Sequence, residues 1–281
     1  MRVVVLGAGG QLGRCLLDRL RNEREQVVGL TRSQFDVTDP TALGAVLQRE
    51  RASCVINASA YTAVDAAEDA PETAHLINAE APGQLARICA DAGVRFVHVS
   101  TDYVFDGTNR TPYAESDHTC PLGVYGRTKL AGEQAVLAAN PGALIVRTAW
   151  VFSEYGGNFL KTMLRLADRE SVRVVDDQMG CPTDAYHLAG AIHAAIRQDL
   201  SGIAHYTDSP PTTWAGFASA VFEQALRLGQ HQSVPEVISI QTKDYPTPAQ
   251  RPAYSVLQNN RIAFAADWND GIVRVLTALH S

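Results

Sequence analysis

Tyr125 and Lys129 stand four residues apart in the run Leu122-Gly123-Val124-Tyr125-Gly126-Arg127-Thr128-Lys129. On a helix that spacing puts a phenol and an ammonium on one face. A cation beside a tyrosine favours the phenolate, which makes the phenol a better proton donor near neutral pH. Reduction of a ketone by hydride needs such a donor. A second pattern, Gly7-Ala8-Gly9-Gly10-Gln11-Leu12-Gly13, supplies the other half of that chemistry. It falls between a predicted strand and a predicted helix, where glycines permit a tight turn and let a pyrophosphate approach the backbone. The spacing is GxxGxxG, and Gly9 adds a GxG at its start. Together the two patterns point to a reductase that uses a nicotinamide dinucleotide.

The end of the second predicted strand bears on which dinucleotide binds. Sites that prefer NAD place an acidic residue there to hold the ribose hydroxyls. Here the chain reads Gly29-Leu30-Thr31-Arg32-Ser33. Arg32 offers a cation and Ser33 a donor to a 2′-phosphate, so NADPH is expected to bind at least as well as NADH. Asp36 and Val37 are placed to embrace the adenine. Ala58, Ser59 and Ala60, after Asn57, lie where a dinucleotide crosses the sheet edge. With Gly7, Gly10, Gln11, Leu12, Tyr125 and Lys129, these residues make up the expected cofactor site. Ser100-Thr101-Asp102-Tyr103 closes another strand at the same edge. A hydroxyl there can hydrogen-bond the substrate carbonyl beside Tyr125. Ser100 and Thr101 face opposite sides of a regular strand, and the residues alone leave open which one enters the site.

Such residues need a sheet to hold them. Apolar, β-branched runs predict strands at 2–6, 26–31, 53–57, 95–100 and 143–147, with helices at 11–21, 40–49 and 71–92 and around Tyr125. This alternation predicts an α/β fold, a doubly wound parallel sheet of Rossmann type covered on both faces. Beyond Trp150 the pattern loosens. Residues 158–169, 185–197 and 213–228 read as helices, 172–175 as a strand, and 245–252 as a loop. Thr212 or Thr213 is suited to cap the third of these helices, and Trp214 and Phe217 are expected in its core. The expected division is a dinucleotide-binding domain over residues 1–150 and a smaller C-terminal substrate-binding lobe over 151–281, partly interleaved with the sheet.

With 24 basic against 30 acidic residues, the formal net charge of −6 argues against a general nucleic-acid binder. No apolar run approaches the ~20 residues needed to cross a bilayer, and the first residues enter a strand without a signal-peptide layout. The five scattered cysteines form no CxxC pair and suit reduced thiols in a cytoplasm. No HExxH or His/Cys cluster points to a metal, and no motif calls for a divalent cation. His98, His187 and His193 are expected as packing or surface residues, and Asp65-Ala66-Ala67-Glu68-Asp69 as a solvated helix start.

Several stretches, in order, carry a family resemblance. They are Gly10-Gln11-Leu12-Gly13, Ala60-Tyr61-Thr62-Ala63-Val64-Asp65-Ala66-Ala67-Glu68, Ser100-Thr101-Asp102-Tyr103-Val104-Phe105-Asp106-Gly107 and Tyr125-Gly126-Arg127-Thr128-Lys129-Leu130-Ala131-Gly132-Glu133. Arg147-Thr148-Ala149-Trp150-Val151-Phe152, Asp177-Gln178-Met179-Gly180-Cys181-Pro182-Thr183 and Arg251-Pro252 follow. Almost from end to end, the chain resembles the extended short-chain dehydrogenases and, within them, the dTDP-4-dehydrorhamnose reductases. The resemblance implies Thr101, rather than Ser100, as the catalytic hydroxyl, with Tyr125 as proton donor and Lys129 supporting it. It also implies a deoxythymidine diphosphate substrate carrying a 4-keto-6-deoxy sugar, reduced with NADPH. Asp102, Tyr103 and Trp150 would then line the sugar, with Val64 and Arg251 on the rest of the sugar nucleotide. A homodimer and a role in making rhamnose for polysaccharide are compatible with the resemblance.

The chain departs from the pattern where Tyr254 follows Ala253, the family commonly having Asn, and at Cys181, where a small residue is usual. Two other readings share the scaffold. A sugar-nucleotide epimerase or dehydratase is one, and Tyr103 after Asp102, in place of a glutamate, disfavours the dehydratase. A regulatory subunit that only binds dinucleotide is the other, and it has no need of an intact Thr101, Tyr125 and Lys129.

Overall fold

Five short runs of mainly apolar residues form the expected parallel strands: β1 (Arg2–Leu6), β2 (Gln26–Leu30), β3 (Cys54–Asn57), β4 (Arg95–Thr101) and β5 (Leu144–Thr148). A computed structural model describes residues 1–280. A sixth strand, Gly202–His205, arrives from much later in the chain and pairs in parallel with β5. Across the sheet the order is β2, β1, β3, β4, β5 and then 202–205. Because β1 has β2 on one side and β3 on the other, connections leave in opposite directions there. The crevice at that switch point, at the carboxyl ends of the strands, is where open α/β sheets bind ligands.

Both faces of the sheet are covered, which is why its strands read as continuous apolar runs. The helices, in order, are α1 (Gln11–Asn22), α2 (Leu43–Glu50), α3 (Val64–Asp69), α4 (Pro71–His75), α5 (Ala81–Asp91), α6 (Val124–Ala139), α7 (Phe159–Arg165), α8 (Ala185–Arg197), α9 (Trp214–Arg227) and α10 (Trp268–Leu279). Val3 and Val5 pack with Leu16 of α1 and Leu188 and Ile192 of α8. Their neighbours Val4 and Leu6 point the other way, into a cluster with Leu47 of α2, Leu85 of α5 and Val136 of α6. This is the period-two alternation of a strand with two buried faces.

The long helix expected over 71–92 is interrupted. Between α4 and α5 the chain makes a π-helical turn over Leu76–Glu80. Pro82 has no N–H, so it cannot bond the Asn78 carbonyl four residues back, and the helix widens there. That carbonyl meets α6 at Gly132, where an added Cβ would lie 2.0 Å from the Asn78 oxygen. The Asn78 side chain donates to Thr128 Oγ1 at 3.1 Å and accepts from the Tyr61 N–H at 2.8 Å. The irregular turn thus locks α6, with Tyr125 and Lys129, against the body of the fold.

A second core lies beyond the sheet. Leu160 of α7, Phe217 and Phe222 of α9 and Ile272 of α10 pack with Val172 and Val174 of the strand Ser171–Val175. That strand pairs in parallel with Glu236–Ile240. Thr213, of the two threonines considered, caps α9 by accepting from the Gly216 N–H at 3.1 Å. Residues 185–205 do not join this lobe. They return to the sheet as α8 and its sixth strand.

Candidate active site

A crevice of about 550 Å³ opens along the carboxyl edge of β1, β2 and β3 and runs to α6. Every residue of the expected cofactor site lines it except Ser33. The Ser33 hydroxyl instead hydrogen-bonds Thr31 Oγ1 at 3.0 Å. Gly7 turns with φ of +76°, a backbone state that glycine adopts without strain. An added Cβ at Gly13 would come within 2.2 Å of the Gly7 carbonyl, so only glycine lets α1 start this close to the strand. Gly10 is the N-cap of α1 and offers no side chain, which leaves the first-turn N–H groups facing the crevice. Gln11 ties this end to the other lobe, accepting from Ser153 Oγ at 3.1 Å and Asn158 Nδ2 at 2.8 Å.

At the far end Arg32 is exposed and faces the crevice. The Asp36 carboxylate turns back onto Thr38, accepting from its N–H and hydroxyl, and those two bonds hold it below the usual carboxylate range. Phe35, buried beside it, also lines the crevice and went unread in the sequence because a single aromatic carries no motif. Thr62, Ile77, Thr148 and Gly156 are further lining residues of the same kind.

Near Tyr125 the two hydroxyls left open in the sequence have different partners, and of the two Ser100 lines the crevice. Ser100 donates to Glu133 Oε1 at 2.5 Å, inside a buried cluster where Arg147 grips both Glu133 oxygens at 2.9 and 2.7 Å. Its hydroxyl is spent. Thr101 Oγ1 donates to Asp102 Oδ1 at 3.0 Å, accepts from the Tyr103 N–H at 3.2 Å, and is in hydrogen-bonding reach of the Tyr125 phenol. Tyr103 meets Tyr125 edge to face, ring centroids 5.6 Å apart.

The phenol and ammonium are not joined as the helical spacing suggested. Lys129 Nζ turns inward, donating to the Val99 carbonyl at 2.7 Å and lying 3.3 Å from His98 Nε2. Burial pushes the Tyr125 phenol up to about 12, against the pull of its bond to Thr101. Burial likewise lowers Lys129 to about 8, with the Glu133 charge opposing it. His98 is fully buried and is more than packing, because it holds the lysine. His187 and His193 do serve as structural partners, to Asp208 at 2.8 Å and Glu25 at 3.0 Å.

The residues expected on the substrate side lie in several settings. Asp102 is almost completely buried, and burial raises its carboxyl to about 6 despite hydrogen bonds from Ser255 and Thr101. Among the described residues its Oδ2 has no hydrogen-bond partner, which suits a ligand hydroxyl. Trp150 holds φ of +47°, a conformation a bulky residue keeps only where packing enforces it. Its ring stacks on Trp214 at 3.6 Å with 9° between planes. Trp214 is half-buried and packs against the second core while also meeting Trp150, whereas Phe217 is fully buried in that core.

The acidic run is not simply solvated. Asp65 takes Arg251 through both oxygens at 2.8 and 2.7 Å, and Glu68 accepts from the Val124 N–H at 2.7 Å, capping α6 from outside. Val64 opens α3 directly before this ion pair. Among the described residues no group of His, Cys, Asp or Glu is arranged to hold a metal.

Residues 1–281 match the family model described as the RmlD substrate binding domain. The chain belongs to this family. Within it, the chain is 44% identical over 274 residues to a dTDP-4-dehydrorhamnose reductase of Burkholderia thailandensis, covering 93% of this chain and 92% of that one. It is 47% identical over 223 residues to a dTDP-4-keto-6-deoxy-D-glucose reductase of Streptomyces niveus, 79% of this chain and 77% of the other. In three dimensions it superposes on a Bacillus anthracis dTDP-4-dehydrorhamnose reductase in complex with NADP, with a TM-score of 0.92, 34% identity and 99% of each chain covered. The RmlD-type fold thus coincides with the doubly wound α/β architecture read from the strand pattern.

Proposed function

We propose that this chain is an NADPH-dependent dTDP-4-dehydrorhamnose reductase, which reduces the 4-keto group of dTDP-4-dehydro-6-deoxy-L-mannose to give dTDP-L-rhamnose. The observation that carries this is that Tyr125 and Lys129 line the end of a crevice shaped for a dinucleotide, with Thr101 beside Tyr125, in a chain of the RmlD family. The residues fit the cofactor: a bare helix start at Gly10, no room for a Cβ at Gly7 or Gly13, and an exposed Arg32 for a 2′-phosphate. NADH, which lacks that phosphate, should be accepted as well. The S. niveus relative favours one alternative, the same reduction on a different 4-keto sugar.

When bound, the nicotinamide supplies the hydride. Everything else falls to this chain. Tyr125 donates its proton to the oxygen of the substrate carbonyl as that oxygen gains charge, and Thr101 hydrogen-bonds the same oxygen. A phenol near 12 stays protonated at neutral pH and is available as the acid. Lys129 holds the cofactor ribose and steadies the phenolate left behind. Asp102 Oδ2 takes a sugar hydroxyl, with Tyr103 and Trp150 as walls. Val64 and Arg251 contact the remainder of the sugar nucleotide. We assign residues 1–150, with 185–205, to the cofactor half and the rest of 151–281 to the substrate lobe.

The cytoplasm is the proposed compartment, supported by five free cysteines, and among the described residues no helix is long and apolar enough to cross a membrane. A homodimer is proposed and is checked by light scattering. The test of function is NADPH oxidation with dTDP-4-keto-L-rhamnose generated in situ. Stoichiometric oxidation with formation of dTDP-L-rhamnose is expected. Oxidation only with the 6-deoxy-D-glucose ketone would establish the alternative.

A further inference from the structure

A chain of hydrogen bonds behind α6 fixes the orientation and the tautomer of His98. Asn57, fully buried at the end of β3, turns its Oδ1 to Ser59, accepting from the Ser59 N–H at 3.1 Å and its hydroxyl at 2.5 Å. The Asn57 Nδ2 therefore faces the other way and lies 3.2 Å from His98 Nδ1. An amide nitrogen only donates, so Nδ1 must be the bare nitrogen of the ring. Burial holds the fully buried His98 neutral, well below its usual titration, whatever the charge on Lys129. Its one proton then sits on Nε2. That atom lies 3.3 Å from Lys129 Nζ, whose other partner, the Val99 carbonyl at 2.7 Å, only accepts. An ammonium at this place would set donor against donor. A neutral amine resolves the contact, accepting from His98 Nε2–H and donating to Val99.

We propose that His98 is a positioning residue that, through the tautomer imposed by Asn57, favours the neutral amine of Lys129 over the ammonium until the dinucleotide binds. The inference rests on the NADPH reading above. The groups that face Lys129 are His98 on β4 and Glu133 on its own helix, with the Val99 carbonyl as acceptor. Of these Glu133 favours the ammonium, but both its oxygens are already gripped by Arg147. Burial disfavours the ammonium and lowers the lysine to about 8. The ribose hydroxyls and phosphates of a dinucleotide bring the acceptors and negative charge that the ligand-free site lacks. Lys129 then takes up a proton from solvent, and only a charged Lys129 can stabilise the Tyr125 phenolate.

The test is calorimetric titration of the full chain with NADPH at pH 8 in two buffers of different ionisation enthalpy. The dependence of the heat on buffer gives the protons taken up. At this pH Asp102, near 6, is already deprotonated and adds nothing. For the wild type, about half a proton or more per NADPH is expected. Asn57→Asp keeps an acceptor for Ser59 but presents a second acceptor to His98. The ring proton should move to Nδ1, a bare Nε2 should face Lys129, and proton uptake should fall to near zero. His98→Gln, which can turn its amide oxygen to Lys129, should act in the same direction. Binding without proton uptake in the wild type would overturn the inference, as would full uptake in either variant with a native circular dichroism spectrum. A wild type that shows no binding heat would sink the cofactor reading, and this inference with it.

Discussion

Removing one oxygen at position 125 tests the proposed acid. Tyr125→Phe retains the ring that Tyr103 packs against and loses only the proton donor. Its kcat is expected to fall by about 10²–10⁴, the usual contribution of a positioned acid, with NADPH affinity by fluorescence titration nearly unchanged. Near-normal turnover would show that the proton comes from elsewhere. Arg32 is the matching test at the adenosine end. Because it is exposed and screened by solvent, Arg32→Ala should weaken NADPH binding only about tenfold and leave NADH binding alone. Equal losses for the two cofactors would remove Arg32 from the 2′-phosphate site. Both residues were legible in the sequence because their side-chain chemistry is specific and their distance from a strand end is fixed. The partner of Lys129 was not. Spacing puts Lys129 on the face of Tyr125, but a flexible four-carbon stem lets the nitrogen turn to a histidine on a neighbouring strand.

At the scale of elements, the irregular turn between α4 and α5 is where sequence reading fell short. The pattern over 71–92 reads as one helix. What the pattern hides is that the carbonyl released at Asn78 needs a neighbour with no side chain, and Gly132 on another helix supplies it. An exposed helical glycine replaced by alanine would gain up to ~1 kcal/mol of stability. Here the sign reverses. Gly132→Ala should cost about 1–3 kcal/mol by forcing α4, α5 and α6 apart, read as a lower midpoint in thermal or urea unfolding. A gain in stability would show that the π turn yields easily. The first five strands of the sheet, by contrast, were read nearly residue for residue, while the strands Gly202–His205 and Glu236–Ile240 were not read at all. Burial on both faces leaves a β-branched run with no other place in the fold. Trp214 packs against the second core as its spacing suggested, but helical periodicity could not show that its ring also meets Trp150 from the other half.

The whole molecule is joined where α8 meets the segment after the sixth strand. Asp208 accepts from His187 Nδ1 at 2.8 Å, from the Asp184 N–H at 3.0 Å and from the Tyr206 hydroxyl at 2.8 Å. Burial alone would lower His187, but the bond to Asp208 and the charges of Asp208 and Asp184 outweigh it and raise its pKa. A raised histidine contributes stability that is complete below its ordinary pKa and is lost as pH rises through the folded value. The stability gap between the wild type and His187→Gln should therefore be wider at pH 6 than at pH 9 in urea unfolding. A gap independent of pH would mean that His187 acts as packing alone.

The return of residues 185–205 to the sheet also bears on how such an enzyme can change its substrate. A lobe that forms one continuous tail can be exchanged between related genes at a single crossover. In this chain the lobe is two separate lengths of sequence on either side of a strand and helix that belong to the cofactor half. One crossover near residue 150 would carry off the sixth strand and α8 together with the lobe, and would pair them with a foreign β5 and α1. New sugar specificity therefore comes more readily from point changes in the loops facing Trp150 and Asp102 than from shuffling of the lobe as a module.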